Sequence, residues 1–351
     1  MRNPKHLFVA LVLLLHLPFY SCGQEKAEPV AGALSLFETL VHRDSVTVTI
    51  DTDWGRIIRK KMEEEYQRAH VIICAGADTL VDLDAQVASR GAVRKQVCFN
   101  PPLKLKFGKS DLRNLGFDGH HVLKLVMQCT MGGGGESLAE KEMAAYGLYR
   151  ILTPQSFRIR PIRLIILNKG KNRENNIFDG FIIEPEKELA DRMQGQIPKR
   201  ETCSVLMVER PQFNRMAVFQ YMIGNTDWAV ANLHNLKVVK VPEYHKLIPV
   251  PYDFDYAGMV DAHYAVPTES LDIKSVRERR YLGFSCSEED ADKLAAEFLA
   301  KKQEFLAFCN AFPWAEDRTR RSVVKYLDDF FEELENPRQF RYVFGNGINH
   351  K

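Results

Sequence analysis

A change of period constrains this chain more than any other feature. Up to residue 183 its apolar side chains recur at every second position in one short stretch after another; beyond residue 212 they recur at helical spacing. A chain written this way is an α+β protein, a sheet-rich part followed by a helical part, and not an alternating α/β one. Residues 45–50 swap apolar and hydroxyl side chains with period two. Residues 70–75 and 79–83 predict a hairpin across Gly76. In residues 103–107, Lys104 and Lys106 share one face of a strand and the apolar residues the other. Residues 121–127 read as a further strand, and 158–167 with 178–183 as an antiparallel pair joined by a polar turn over 168–176.

Between the last two groups lies one prominent helix, expected over 137–152. Ser137 stands as its N-cap with Glu140 at capping-box distance, after a bend at Gly132 to Gly135 that reads as a flexible flap or a plain linker. The second part predicts a helix over 212–224, a short hairpin over 236–250, and long helices over 286–309 and 318–334. The division is therefore a β-rich lobe over 35–185, a mainly helical lobe over 186–340 and a tail over 341–351, with the seam near 183–190.

The first residues are set aside from fold reasoning. A short basic stretch to His6 precedes an apolar run from Leu7 to Leu17, too short to span a bilayer comfortably, which reads as a secretion signal over 1–21. Residues 19–22, Phe-Tyr-Ser-Cys, resemble a bacterial lipoprotein processing site, which implies lipidation of Cys22 and a tether over 22–34. Ordinary secretion and a retained anchor stay open. The expected location is the cell envelope, facing the periplasm or exterior, with the membrane reached through the lipid. The chain holds 48 Lys and Arg against 46 Asp and Glu; Arg2 and Lys5 fall in the leader, so the rest is evenly balanced. That balance argues against a nucleic-acid partner. Six cysteines remain after Cys22, an even number that an exported chain can pair or leave as buried thiols, and no CxxC is present to suggest structural zinc.

Two acidic motifs carry the chemistry. Gly224-Asn-Thr-Asp-Trp-Ala-Val-Ala-Asn232 places Asp227 five residues before Asn232, and Tyr252-Asp-Phe-Asp255 follows the hairpin. A loop aspartate, an asparagine five residues on and a further aspartate beyond a hairpin suit phosphoryl transfer: one carboxylate orients an acceptor hydroxyl while amide and carboxylate oxygens hold Mg²⁺ over the phosphates. In the first lobe, Lys124 lies mid-strand and Glu140 opens the helix after it, the pairing in which a strand lysine meets phosphates and a helix glutamate holds it. Glu142 is the alternative to Glu140, and Lys104 or Lys106 the alternatives to Lys124. Ordinary roles stay open for each: turn caps for Asp227, Asn232, Asp253 and Asp255, a solvated strand lysine for Lys124, and a capping acid for Glu140.

On these residues the chain resembles the atypical kinase-like family of spore-coat protein H kinases and, more distantly, the HipA-type toxin kinases. Residues 224–232 are similar to the HipA-type GNxDxHxxN loop, and 252–255 to the WDxD metal motif of the coat-protein family. Arg90-Gly91 and residues 101–107 resemble that family's strand before the lysine strand. The resemblance spans roughly residues 85–260 and implies a two-lobed protein-kinase-like fold using ATP with Mg²⁺ or Mn²⁺. It implies Asp227 as the catalytic-loop aspartate, Asn232 as a metal ligand, Asp253 as the principal metal aspartate, and Asp255 as a second ligand or structural acceptor. Two features depart from the pattern: no GxGxxG precedes Lys124, and the usual catalytic-loop histidine is missing. The reading is thus a phosphotransferase for an unidentified protein or small-molecule acceptor, by phosphoryl or nucleotidyl transfer. A catalytically silent kinase-like binding module and a metal-dependent hydrolase or envelope structural protein are the alternatives.

Overall fold

The computed structural model describes residues 33–130, 133–168 and 176–347. The expected leader, Cys22, nearly all of the tether, Gly132 and most of the 168–176 turn lie outside them. The expected α+β, two-lobed arrangement is what the chain adopts: a β-rich N-terminal lobe and a helical C-terminal lobe. Seven strands form the first, β1 (Val46–Thr52), β2 (Gln67–Ala75), β3 (Asp78–Ser89), β4 (Leu103–Phe107), β5 (Val122–Met127), β6 (Ile159–Asn168) and β7 (Asn176–Ile183). They close into a barrel in the order β1-β2-β3-β4-β5-β7-β6, sealed by the parallel pairing of β6 with β1. Along β1 buried and half-buried residues alternate, so Val48 and Ile50 join Val71, Ile73, Leu105, Leu164 and Phe178 in the barrel core. The hairpin expected across Gly76 is present, with Gly76 at φ +61° in the turn. A helix absent from the sequence reading, Leu36–Val41, is capped by Ser35 and buries Leu36, Phe37 and Leu40 in the same core.

The helix after β5 spans Gly133–Leu152, so Gly133 to Gly135, expected in a flap or linker, form its first turn, and Ser137 lies inside the helix and is not its cap. Each glycine costs about 1 kcal/mol against alanine in a helix. The face that Met143, Ala144, Tyr146 and Leu148 bury offsets that cost. In β7, Gly180 is obligatory, because a Cβ there would stand 2.3 Å from the Val126 carbonyl oxygen of the paired strand β5.

The C-terminal lobe holds helices Glu186–Arg192, Arg210–Met222, Glu288–Ala300, Lys302–Ala311, Asp317–Leu334 and Pro337–Gly345, and one hairpin, β8 (Leu236–Lys240) with β9 (Leu247–Pro251). The single helix expected over 286–309 is two, broken at Lys301, and the last helix carries packed chain past residue 340, with Phe340 and Phe344 buried. In Asp317–Leu334, Val323, Leu327, Phe330, Phe331 and Leu334 recur at helical spacing and pack against Phe298 and Phe305. Each such side chain stabilises the lobe by about 1.5–3 kcal/mol through burial. Among the described residues no helix is long and apolar enough to cross a membrane. Cys98 is bonded to Cys129, while Cys74, Cys203, Cys286 and Cys309 are free thiols.

The lobes join at a buried carboxylate. Glu184 follows β7, and its side chain accepts from the Arg158 N–H at 3.0 Å, Arg158 Nε at 2.8 Å and Arg192 Nε at 2.9 Å. Beside it Glu188 accepts a 2.7 Å hydrogen bond from the Ser35 hydroxyl. Burial, with Glu184 and Glu38 nearby, pushes the Glu188 carboxyl up to about 7, against the hydroxyl bond and Arg158. A carboxyl that is harder to ionise when folded adds stability that is full below the ordinary value of 4.5 and is lost as pH rises through about 7. Melting midpoints of the wild type should therefore fall between pH 5 and pH 8 more than those of Glu188→Gln. Parallel pH profiles would reject this role for Glu188.

Candidate active site

Helix Arg210–Met222 ends in Gly224, at φ +66°, where a Cβ would meet the Tyr326 hydroxyl at 2.1 Å. Only glycine turns the chain there. Asn225, fully buried, then shapes the loop: its Oδ1 accepts the Asp227 N–H at 3.0 Å, its carbonyl accepts from Trp228 Nε1 at 3.2 Å, and its Nδ2 donates to Gln220 at 3.0 Å. The Asp227 carboxylate is held on both oxygens. His234 Nε2 lies 2.9 Å from Oδ1, and Asn235 Nδ2 donates to Oδ2 at 2.9 Å and to the Asp227 carbonyl at 2.8 Å. The loop doubles back to allow this, with Leu233 and Asn235 both at positive φ, a conformation that costs a side-chain-bearing residue about 1 kcal/mol or more.

The second acidic motif follows β9. The Tyr252 N–H donates to the Asn235 carbonyl at 3.1 Å, which ties the two loops together. Asp253 sits at φ +61° and donates its N–H to the Tyr146 hydroxyl oxygen at 2.9 Å. Burial, then the neighbouring Asp255, pushes the Asp253 carboxyl up to about 6 against the pull of Arg94 and Arg90. Asp255 is buried, and its Oδ2 accepts from Arg94 Nε at 2.8 Å and from the Tyr264 hydroxyl at 2.9 Å. Asp227, His234, Asn235, Asp253 and Asp255 line one cavity of about 100 Å³, closed on the barrel side by Val126, Pro102 and the chain from Arg90 to Arg94.

The structure thus brings Asp227, Asp253 and Asp255 together. Asn232 it leaves outside: that residue is exposed, with its Oδ1 accepting the His234 N–H at 3.3 Å, and Asn235 lines the cavity in its stead. Lys124 and Glu140 do not meet. Lys124 Nζ is 2.9 Å from Glu186 Oε1, an oxygen it shares with Lys237 at 3.4 Å, while the buried Glu140 accepts the Ala315 N–H at 2.8 Å. Glu142, the alternative, is buried behind the cavity wall and pairs with Arg94, which lines it; its burial pushes the carboxyl up to about 8. Lys104 pairs opposite Lys124 across β4 and β5 but reaches Glu64 at 3.4 Å, and both Lys104 and Lys106 lie over the Tyr66 ring. Lys106 also lines a separate groove of about 680 Å³ on the barrel. Sequence reasoning missed His234, Asn235 and Arg94. His234 escaped notice because it stands seven residues beyond Asp227, and the signal for Asn235 was a further asparagine three residues after Asn232.

Among the described residues no three His, Cys, Asp or Glu side chains are grouped to hold a metal ion by themselves. Mg²⁺ bound through one or two carboxylates and substrate phosphates does not need such a group. The donors here are oxygens, and the like charges around Asp253 suit a divalent cation, so the residues fit Mg²⁺ or Mn²⁺.

No family model matches the chain, and no curated protein matches it. Among solved structures it is similar to the crystal structure of a Helicobacter pylori proinflammatory kinase, CtkA, at TM-score 0.37 and 8% identity, over 74% of this chain and 94% of that one. The likeness is remote and concerns the fold.

Proposed function

We propose that this protein is an ATP- and Mg²⁺-dependent phosphotransferase that acts on a hydroxyl acceptor in the cell envelope, anchored through Cys22. The observation that supports this best is the meeting of Asp227 and Asp253, 26 residues apart in sequence, in one cavity between the lobes. Asp227, fixed by His234 and Asn235, orients the acceptor hydroxyl and takes its proton at a carboxylate oxygen. Asp253 and Asn235 would hold the metal, which when bound neutralises charge on the phosphates. Arg90, on the cavity wall, and Lys124, at the seam, are the cations offered to the phosphates. A protein side chain, a small alcohol and a sugar all present the hydroxyl this arrangement needs.

A catalytically silent nucleotide-binding module is the second reading, favoured by the engagement of Lys124 with Glu186 and not with a glutamate of helix Gly133–Leu152. Incubation of the purified domain with γ-labelled and α-labelled ATP, with Mg²⁺ or Mn²⁺, separates the readings. Label from γ alone supports the kinase, label from α supports nucleotidyl transfer, and stoichiometric binding without transfer supports the silent module. Asp253→Asn keeps side-chain size and removes a charge, so calorimetry should show Mg·ATP affinity weakened about tenfold or more, the scale of a lost charged contact. Unchanged affinity would take Asp253 out of the site.

A further inference from the structure

We propose that Arg94 is the positioning residue of this site, linking helix Gly133–Leu152 to the Asp253–Asp255 segment in the place where a lysine–glutamate pair is expected. The inference rests on the phosphotransfer reading only for its consequence in nucleotide binding; the link itself is a matter of geometry. The helix grips the acidic segment twice, from residues four apart and hence on one face. Tyr146 accepts the Asp253 N–H at 2.9 Å, its ring packed on Phe254 at 4.8 Å between centroids. One turn earlier, Glu142 is linked to Asp255 by Arg94, whose Nη2 donates to Glu142 and whose Nε donates to Asp255 at 2.8 Å.

Arg94 is suited to this by its own anchoring. It lies in the short helix Val93–Val97 between β3 and β4, and the next residue after that helix, Cys98, is bonded to Cys129 just beyond β5. The guanidinium is therefore delivered from a fixed loop into the junction. The second Glu142 oxygen, Oε1, is buried without a hydrogen-bond partner among the described residues, so Arg94 is what holds that carboxylate. Lys124 does not make this link: in the nucleotide-free protein its ammonium pairs with Glu186, at the seam and not between the helix and the acidic segment. Without Arg94, Glu142 and Asp255 lose the cation that both pairs with and orients them, and Asp253 loses one of the two guanidinium charges near it. Among the described residues, the backbone from Tyr252 to Gly258 then keeps the Tyr146 grip from the helix, with Lys141 donating to the Val260 carbonyl at 3.0 Å just beyond it.

Hydrogen–deuterium exchange of the nucleotide-free protein tests this directly. In Arg94→Gln the peptide over 252–258 should exchange at least about tenfold faster than in wild type, with the β1 and β2 peptides unchanged, the behaviour of a local and not a global opening. Arg94→Lys, which keeps the charge but not the two-armed geometry, should fall between them. Lys124→Gln should leave the segment as it is. Where the buried charge left in Arg94→Gln prevents folding, Arg94→Gln with Glu142→Gln removes both charges and should show the same faster exchange. Wild-type protection of 252–258 in the folded single or double variant overturns the proposal. Mg·ATP titration is read separately: weaker binding in Arg94→Gln extends the role to the nucleotide. A wild type that binds none removes the phosphotransfer reading while the exchange result still decides the role of Arg94.

Discussion

Asp227→Ala lowers label transfer by about 10²- to 10⁴-fold while moving the ATP dissociation constant little, the expected pattern for a positioned acid–base group that acts in the transition state. The structure gives this carboxylate two fixed neighbours, His234 and Asn235, and no role in the core. The loop around it is held by Asn225, whose bonds to Gln220 and Trp228 survive the substitution, so the variant should melt as the wild type does. Rates and dissociation constants measured together on such protein distinguish it from Asp253→Asn, in which binding weakens. An Asp227→Ala protein as active as wild type would end the assignment of the general base.

Glu184→Ala should be the most destabilising single change at the seam, by about 3–5 kcal/mol, since it removes the buried carboxylate that the buried Arg158 and the half-buried Arg192 share. Arg158 keeps Glu38, and Arg192 keeps the Pro154 and Ser156 carbonyls, but the carboxylate that ties them together is gone. In a domain of this size the melting midpoint should fall by roughly 5–15 °C. Glu184→Gln, which keeps an acceptor, should lose less. A midpoint within a degree of wild type for Glu184→Ala would show that the lobes are held by the surrounding apolar contacts alone.

Much of the architecture is legible in the residues alone. The alternation in residues 103–107 and 158–167 named real strands because one face of each is buried, and Gly76 named its turn because only glycine sits easily at that φ. Asp227 and Asp253 were legible as a pair because a hairpin between them returns the chain. Asn232 misled for a reason that spacing does not carry: the loop reverses through Leu233 and Asn235 at positive φ, which turns the later asparagine inward. Glu140 misled through helix phase. Glu140 and Glu142 lie about 200° apart around the helix, so a choice between them fixes opposite faces. The helix begins at Gly133, where glycine content argued for a bend, and packing and not propensity decided. Arg94 was invisible because its partners lie 48 and 161 residues away.

The parallel seam between β1 and β6 has a bearing on how the chain reaches this state. Thr47 ends beside Arg163, so the first strand waits for a neighbour that is made more than a hundred residues later. Until then one edge of β1 presents unpaired backbone groups, the kind of edge that recruits other strands. Long-range pairings of this sort are slow to form, because the entropy of closing the intervening chain is lost before the contact repays it. A nascent chain emerging in order from its N-terminus therefore carries an open sheet until β6 has appeared, and stalling anywhere between β5 and β6 should leave it sticky and dependent on a holding chaperone.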